Sequence, residues 1–202
     1  MEDNSNSEHS TKNSIYSNEN ANIFKSDYEQ KEKKSFLITK IIGELLTDIC
    51  GQNKPNNGTN LLLLKPFISK KMPSISIKDY IERLLKYSKT FNEIVIIVLI
   101  YLDTICAKHK LNLNYYNIHK FIFASFIVAI KFYEDDYYSI NYYAKLGGIP
   151  KKEAISLEYE FLSLMDFKLF VKQELYDKYY NNLSSLDDND DDDDSDDDFN
   201  FM

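Results

Sequence analysis

Apolar residues recur along most of this chain at the three-and-four spacing of a helix. Between Phe36 and Cys50, residues Ile38, Ile41, Ile42, Leu45, Leu46 and Ile49 form one stripe, and Gly51 follows where a helix can stop. A polar loop from Gln52 to Asn60, with Pro55 and Gly58, leads into Leu61 to Phe67, and Pro66 and Pro73 interrupt what comes next. Ser76, with Asp79 three residues on, marks the start of a second helix lined by Ile77, Tyr80, Ile81, Leu84 and Leu85.

Asn92 to His109 contains a β-branched run, Ile94 to Ile100, that reads as a buried strand on composition. Length decides against it. The segment has no Gly, Pro or turn cluster for about 18 residues, well beyond the ~4 to 8 of a strand, which predicts a largely buried helix. Asn117 to Tyr133 is apolar on nearly every side and belongs in the middle of a bundle.

A short helix over Ile140 to Leu146 ends at Gly147-Gly148, and Pro150 opens another that runs to Met165. That helix carries Ile155, Tyr159, Leu162 and Met165 on one side, with Leu157, Phe161 and Leu164 on the other. A last helix spans Gln173 to Leu183. Hairpin signals and β-type alternation are missing, so the predicted fold class is all-α, two mostly buried helices wrapped by amphipathic ones.

At 202 residues, 44% of them hydrophobic, the chain suits one domain and is too small for a protein kinase. Residues 1–34 are mostly Asn, Ser, Glu and Lys and read as a disordered tail, although Ile23 to Tyr28 offers a segment that could dock on a partner. Residues 35–183 form the expected domain, and 184–202 an acidic disordered tail. The net charge of -8 is uneven. Residues 187–198 hold ten Asp and no base, and residues 1–34 hold seven acids against five Lys, so residues 35–186 carry +4. Ser184, Ser185 and Ser195 each have Asp three residues on, a pattern that acidophilic kinases favour.

Two Cys cannot build a disulfide framework, and 23 of the 24 basic residues are Lys, which together suggest an intracellular protein of the nucleus or cytoplasm. Met1-Glu2-Asp3 is unlike a signal peptide, and the longest apolar stretches reach about half of the ~20 residues of a membrane span.

Catalytic constellations are hard to find. Cys106 and His109 are three apart, too few for a zinc site. His119 stands alone at a helix start and reads as a polar edge, and Gly147-Gly148 lacks the lysine of a phosphate loop. Glu134-Asp135-Asp136 could hold Mg²⁺ as in all-helical isoprenoid synthases, but a second carboxylate motif is lacking. The scattered charge and single Arg argue against nucleic acid. The expectation is a binding module with no cofactor, no metal and no small-molecule substrate.

Two stretches resemble a known family. Val128-Ala-Ile-Lys131-Phe-Tyr-Glu-Asp-Asp136-Tyr-Tyr-Ser-Ile-Asn141-Tyr-Tyr-Ala-Lys-Leu-Gly-Gly148-Ile, followed by Leu157-Glu158-Tyr-Glu-Phe-Leu-Ser-Leu-Met-Asp-Phe167-Lys-Leu169, is similar to the cyclin box, and more narrowly to its P/U-type, phosphate-signalling branch. Pro73-x-Ile-x-Ile-x-x-Tyr-Ile-x-Arg83 and Tyr101-Leu-Asp103 agree with it. The resemblance covers about Phe36 to Leu183 and is strongest from Pro73 to Val171.

The resemblance implies a single five-helix cyclin box around a buried central helix, 117–133, with flanking N- and C-terminal helices. It also implies a non-catalytic subunit that binds and activates a cyclin-dependent kinase as a heterodimer, in cell-cycle or phosphate signalling. Lys131 and Glu158 would be the charged pair that meets the kinase, and Arg83 and Asp103 an internal ion pair. Glu134, Asp135 and Asp136 would supply acid to the kinase activation segment. Asp103 is followed by Thr104 where cyclins carry Arg, and Glu82-Arg83-Leu84-Leu85-Lys86 lacks the substrate groove of the cell-cycle A and E types. The chain holds one box where many cyclins have two. A scaffold that binds a non-kinase partner is the alternative reading.

Overall fold

The computed structural model describes residues 33–34, 36–53, 64–88 and 90–186, and every regular element among them is helical. Contacts divide the chain into two units, Met1–Leu37 and Ile38–Met202. The described residues of the first, 33, 34, 36 and 37, are helical, and the helices labelled below are described within the second. Three expectations lie outside the described residues: the tail up to residue 32, the loop with Pro55 and Gly58, and the acidic run with Ser195.

Helix α1 covers residues 38–52 and buries Ile38, Ile42, Leu46 and Cys50, while Ile41, Leu45 and Ile49 are half-buried. Gly51 is not its stop. The helix continues through residue 52, and Asn53 donates its backbone amide to Ile49 O at 3.2 Å and its side-chain amide to Leu113 O at 3.0 Å.

In α2, Ile77–Tyr87, the Ser76 hydroxyl accepts the Asp79 amide at 3.0 Å, and Ile77, Tyr80, Ile81 and Leu84 face inward. Helix α3, Ile94–His109, buries eleven of its 16 side chains, so the β-branched run sits in a helix that needs no polar face. Lys110 closes it in the left-handed region, φ 53.

Helix α4, Ile118–Tyr133, buries twelve side chains. It packs on α2, on α3, on α6 (Lys151–Leu164) and on a 3₁₀ turn, Lys65–Phe67. Phe67 stacks on Phe121 with ring centroids 4.1 Å apart. Each such ring contributes roughly 1.5–3 kcal/mol of burial. Ser125, fully buried at mid-helix, is satisfied locally by donating to Phe121 O at 2.8 Å. Lys120 donates to Pro66 O at 3.1 Å and pairs with Glu153 at 2.8 Å, tying the 3₁₀ turn, α4 and α6 together.

Helix α5, Ile140–Gly147, is capped by Gly148 at φ 70, and a Cβ on Gly147 would lie 2.4 Å from the Phe123 ring. Glycine is therefore required for conformation at 148 and for space at 147. In α6 the core row is Ala154, Leu157, Phe161 and Leu164, and Ile155 and Tyr159 face out. Helix α7, Gln173–Ser185, packs on α3 and runs two residues past the expected end. Ser184 and Ser185 are thus helical, the Ser184 hydroxyl shielded from solvent and the Ser185 hydroxyl donating to Asn182 O at 2.8 Å.

Helices α2 to α6 make five around a central α4, with α1 and α7 flanking them, as the resemblance implies. Among the described residues no helix is long and apolar enough to cross a membrane.

Candidate partner-binding face

The periodicity of α4 and α6 leaves one charged group of each helix at a shared edge. Lys131 lies in the last turn of α4, where the helix dipole favours a cation, and Glu158 lies just beside the buried row of α6. Their Nζ and Oε1 are 2.5 Å apart, with the side chains 28% and 18% exposed. Around them the outward residues are large and apolar: Phe132 after Lys131, and Ile155 and Tyr159 on the exposed side of α6.

The segment after α6 extends this face. Asp166 and Phe167 both adopt left-handed backbone, φ 50 and 57, without being glycine, and Phe167 is 64% exposed. Such a turn costs about 1–2 kcal/mol per residue and persists only where neighbours hold it. Here α3 does so. Lys108 and His109 each donate to Leu164 O at 2.9 Å, and Lys108 pairs with Asp166 at 2.7 Å. The hydrogen bond from Lys108 holds the Asp166 carboxyl below its ordinary range.

Two residues further on, Leu169 O accepts from Tyr101 at 2.6 Å and from Tyr133 at 3.2 Å, and the Tyr133 oxygen accepts the Val171 amide at 2.7 Å. Burial pushes the Tyr101 phenol far above its usual range, so it remains a donor. The exposed rings of Phe132, Tyr159, Phe167 and Phe170 therefore stand on backbone fixed from several helices.

Arg83 and Asp103 are not brought together. Helix α2 leans on α4 and α5, whereas α3 leans on α4 and α7, and the two side chains have different partners. Arg83 lies over the Tyr80 ring, 5.2 Å from its centroid, and its Nε is buried with no hydrogen-bond partner. Asp103 accepts the hydroxyl of Tyr179 from α7.

Glu134 caps α4 and accepts from the Thr90 hydroxyl at 2.7 Å, while Asp135 and Asp136 are exposed. The triplet thus splits into one engaged carboxylate and two outward ones. Cys106 is buried and its thiol is pushed up to about 12 by that burial, then by Asp103 and Cys50. His119 is no polar edge. It is buried against Tyr80, with ring centroids 5.1 Å apart, and bonds Ile75 O at 3.0 Å.

Lys108, Tyr133 and Tyr179 were not singled out from the sequence, and Tyr101 entered only as part of the Tyr101-Leu-Asp103 motif. A signal existed for Lys108, because a lysine in a last helical turn suits a helix's free carbonyls, here those closing α6.

Comparison with known proteins agrees with this architecture. Residues 2–169 match the family model described as Cyclin. The chain is 44% identical over 110 residues to "PHO85 cyclin-like protein psl1" of Schizosaccharomyces pombe, covering 54% of this chain and 45% of that one. It is 35% identical over 164 residues to "PHO85 cyclin-7" of Saccharomyces cerevisiae, covering 74% and 58%. With "Cyclin-U4-1" of Arabidopsis thaliana it shares 37% over 112 residues, 55% of each chain. The match spans about half the length of these relatives. The chain belongs to the cyclin family, in its P/U-type branch.

Proposed function

We propose that this chain is a non-catalytic regulatory subunit that binds a cyclin-dependent protein kinase and holds its C-helix in the active position. The observation that carries the reading is the Lys131–Glu158 pair, set among the exposed rings of Phe132 and Tyr159 on a face with fixed backbone. A kinase works only when its C-helix Glu reaches the lysine that holds the ATP phosphates. A rigid surface that binds only that arrangement shifts the equilibrium toward it.

Lys131 has three donors and Glu158 takes one, which leaves two for backbone carbonyls of a docked helix end. In this reading Asp135 and Asp136, both exposed, meet activation-segment arginines in the role of a phosphate, and the contact of Glu134 with Thr90 supports it by fixing the start of that turn. Two relatives are named as PHO85 cyclins, which supports a PHO85-type kinase as the partner.

The test is capture and activation of a purified kinase of that type. Replacing Lys131 and Glu158 together by Ala should weaken binding by roughly 2–5 kcal/mol, the cost of truncating a buried polar contact. Unchanged capture refutes the assignment, and capture without activation favours the scaffold.

A further inference from the structure

A second concave site lies on the side of the bundle where α3 begins and α4 ends. Its walls are Phe91, Ile97, Tyr133, Val171 and Tyr176, and it encloses about 280 Å³. That is near the lower end of the roughly 300–1,000 Å³ of ligand pockets and is a size for one or two side chains. Phe91 is 72% exposed, a ring left in water at the mouth.

The rim has one sign of charge. Glu93 and Glu134 both border the cleft. Glu134 is held in place by the Thr90 hydroxyl at 2.7 Å. The last carbonyls of α4 add the negative end of a helix dipole at the same spot. Burial, and then the charge of Glu93, push the Tyr176 phenol up to about 12. Since residues 35–186 carry a net +4, this acidic rim is local to the cleft.

We propose that this cleft docks an extended peptide segment of another protein, one that carries a large apolar side chain beside Lys or Arg. The apolar side chain enters between Phe91, Ile97 and Tyr176. The cation meets Glu93, Glu134 and the end of α4. The cleft uses neither Lys131 nor Glu158, but it shares Tyr133, Glu134 and Val171 with the support of the proposed kinase face, so its test is made on the chain alone, with no kinase present.

The experiment is fluorescence anisotropy of labelled, capped hexapeptides with the purified full chain. Four probes pair Lys-Lys or Glu-Glu with Leu-Phe or Ala-Ala. The Lys-Lys/Leu-Phe probe should bind at least ten-fold tighter than the other three, and less tightly as salt rises. Phe91→Ser, and separately Glu93→Gln with Glu134→Gln, should each weaken it ten-fold or more while thermal melting stays unchanged. Val171→Trp, which fills the cleft and keeps both acids, should abolish binding.

Equal binding of the acidic probe, or variants that bind as the parent does, overturns the proposal. So does a dimer in sedimentation that Phe91→Ser dissolves, since the occupant would then be a second copy of the chain.

Discussion

Tyr179 reaches from α7 to α3 and donates its hydroxyl to the Asp103 carboxylate. This bond fastens the flanking helix to the bundle at the position where the family resemblance led us to expect Arg83. Tyr179→Phe leaves the ring and removes the donor, so Asp103 keeps its charge without that partner. Unfolding by urea should show a loss of about 1–3 kcal/mol, the usual cost of stranding a partly buried acceptor. An unchanged midpoint would show that α7 is held by packing alone.

Stability should also fall at both ends of the pH range. Burial pushes the Tyr176 phenol up to about 12 and raises Tyr80, Tyr101 and Tyr179 further. The unfolded chain releases these protons near pH 10, before the folded one, so stability declines as pH rises above about 10. His119 works in the opposite direction. Burial depresses its affinity for a proton, the unfolded histidine takes one below about 6.5, and stability drops as pH falls through that value. Urea midpoints measured across pH should flatten on the acid side in His119→Gln.

Exchanging the charges separates folding from recognition at the Lys131–Glu158 edge. Lys131→Glu with Glu158→Lys restores an ion pair of the same kind, so the melting temperature should change little. Kinase capture should be lost, because the donors now sit on α6 and the acceptor on α4. Capture retained by the swapped chain would mean that the pair is only a structural tie.

Phe167 should trade stability for binding. Asn tolerates left-handed backbone far better than Phe, so Phe167→Asn should stabilise the fold by about 0.5–1 kcal/mol. It also removes an exposed ring from the proposed kinase face. Stability that rises while kinase affinity falls is the expected signature in paired denaturation and binding measurements.

The elements that sequence reading located best are those whose cause is local. Unbroken apolar stretches with no turn residue made α3 and α4 helices, and Ser76 and Gly148 marked ends through their own hydrogen bonds and backbone angle. Gly51 misled because it lies inside α1, whose end is tied through Asn53 to Leu113, sixty residues away. The face around Lys131 was legible only through resemblance, since periodicity says which side of a helix is wet and not what it meets. Asp166 and Phe167 gave no sign of their backbone, as neither is glycine and the clamp that permits it comes from α3. Arg83 lies over Tyr80 and Asp103 meets Tyr179 from a helix 76 residues on, a pairing no single stretch encodes.

Lys120 has a chemical consequence. Its ammonium is spent on the Pro66 carbonyl and Glu153 and is 17% exposed, whereas Lys168 is 83% exposed. An acylating reagent that finds Lys168 at once should reach Lys120 only after the turn, α4 and α6 part company. The reactivity of this one amine thus reports whether three elements distant in the chain are still assembled.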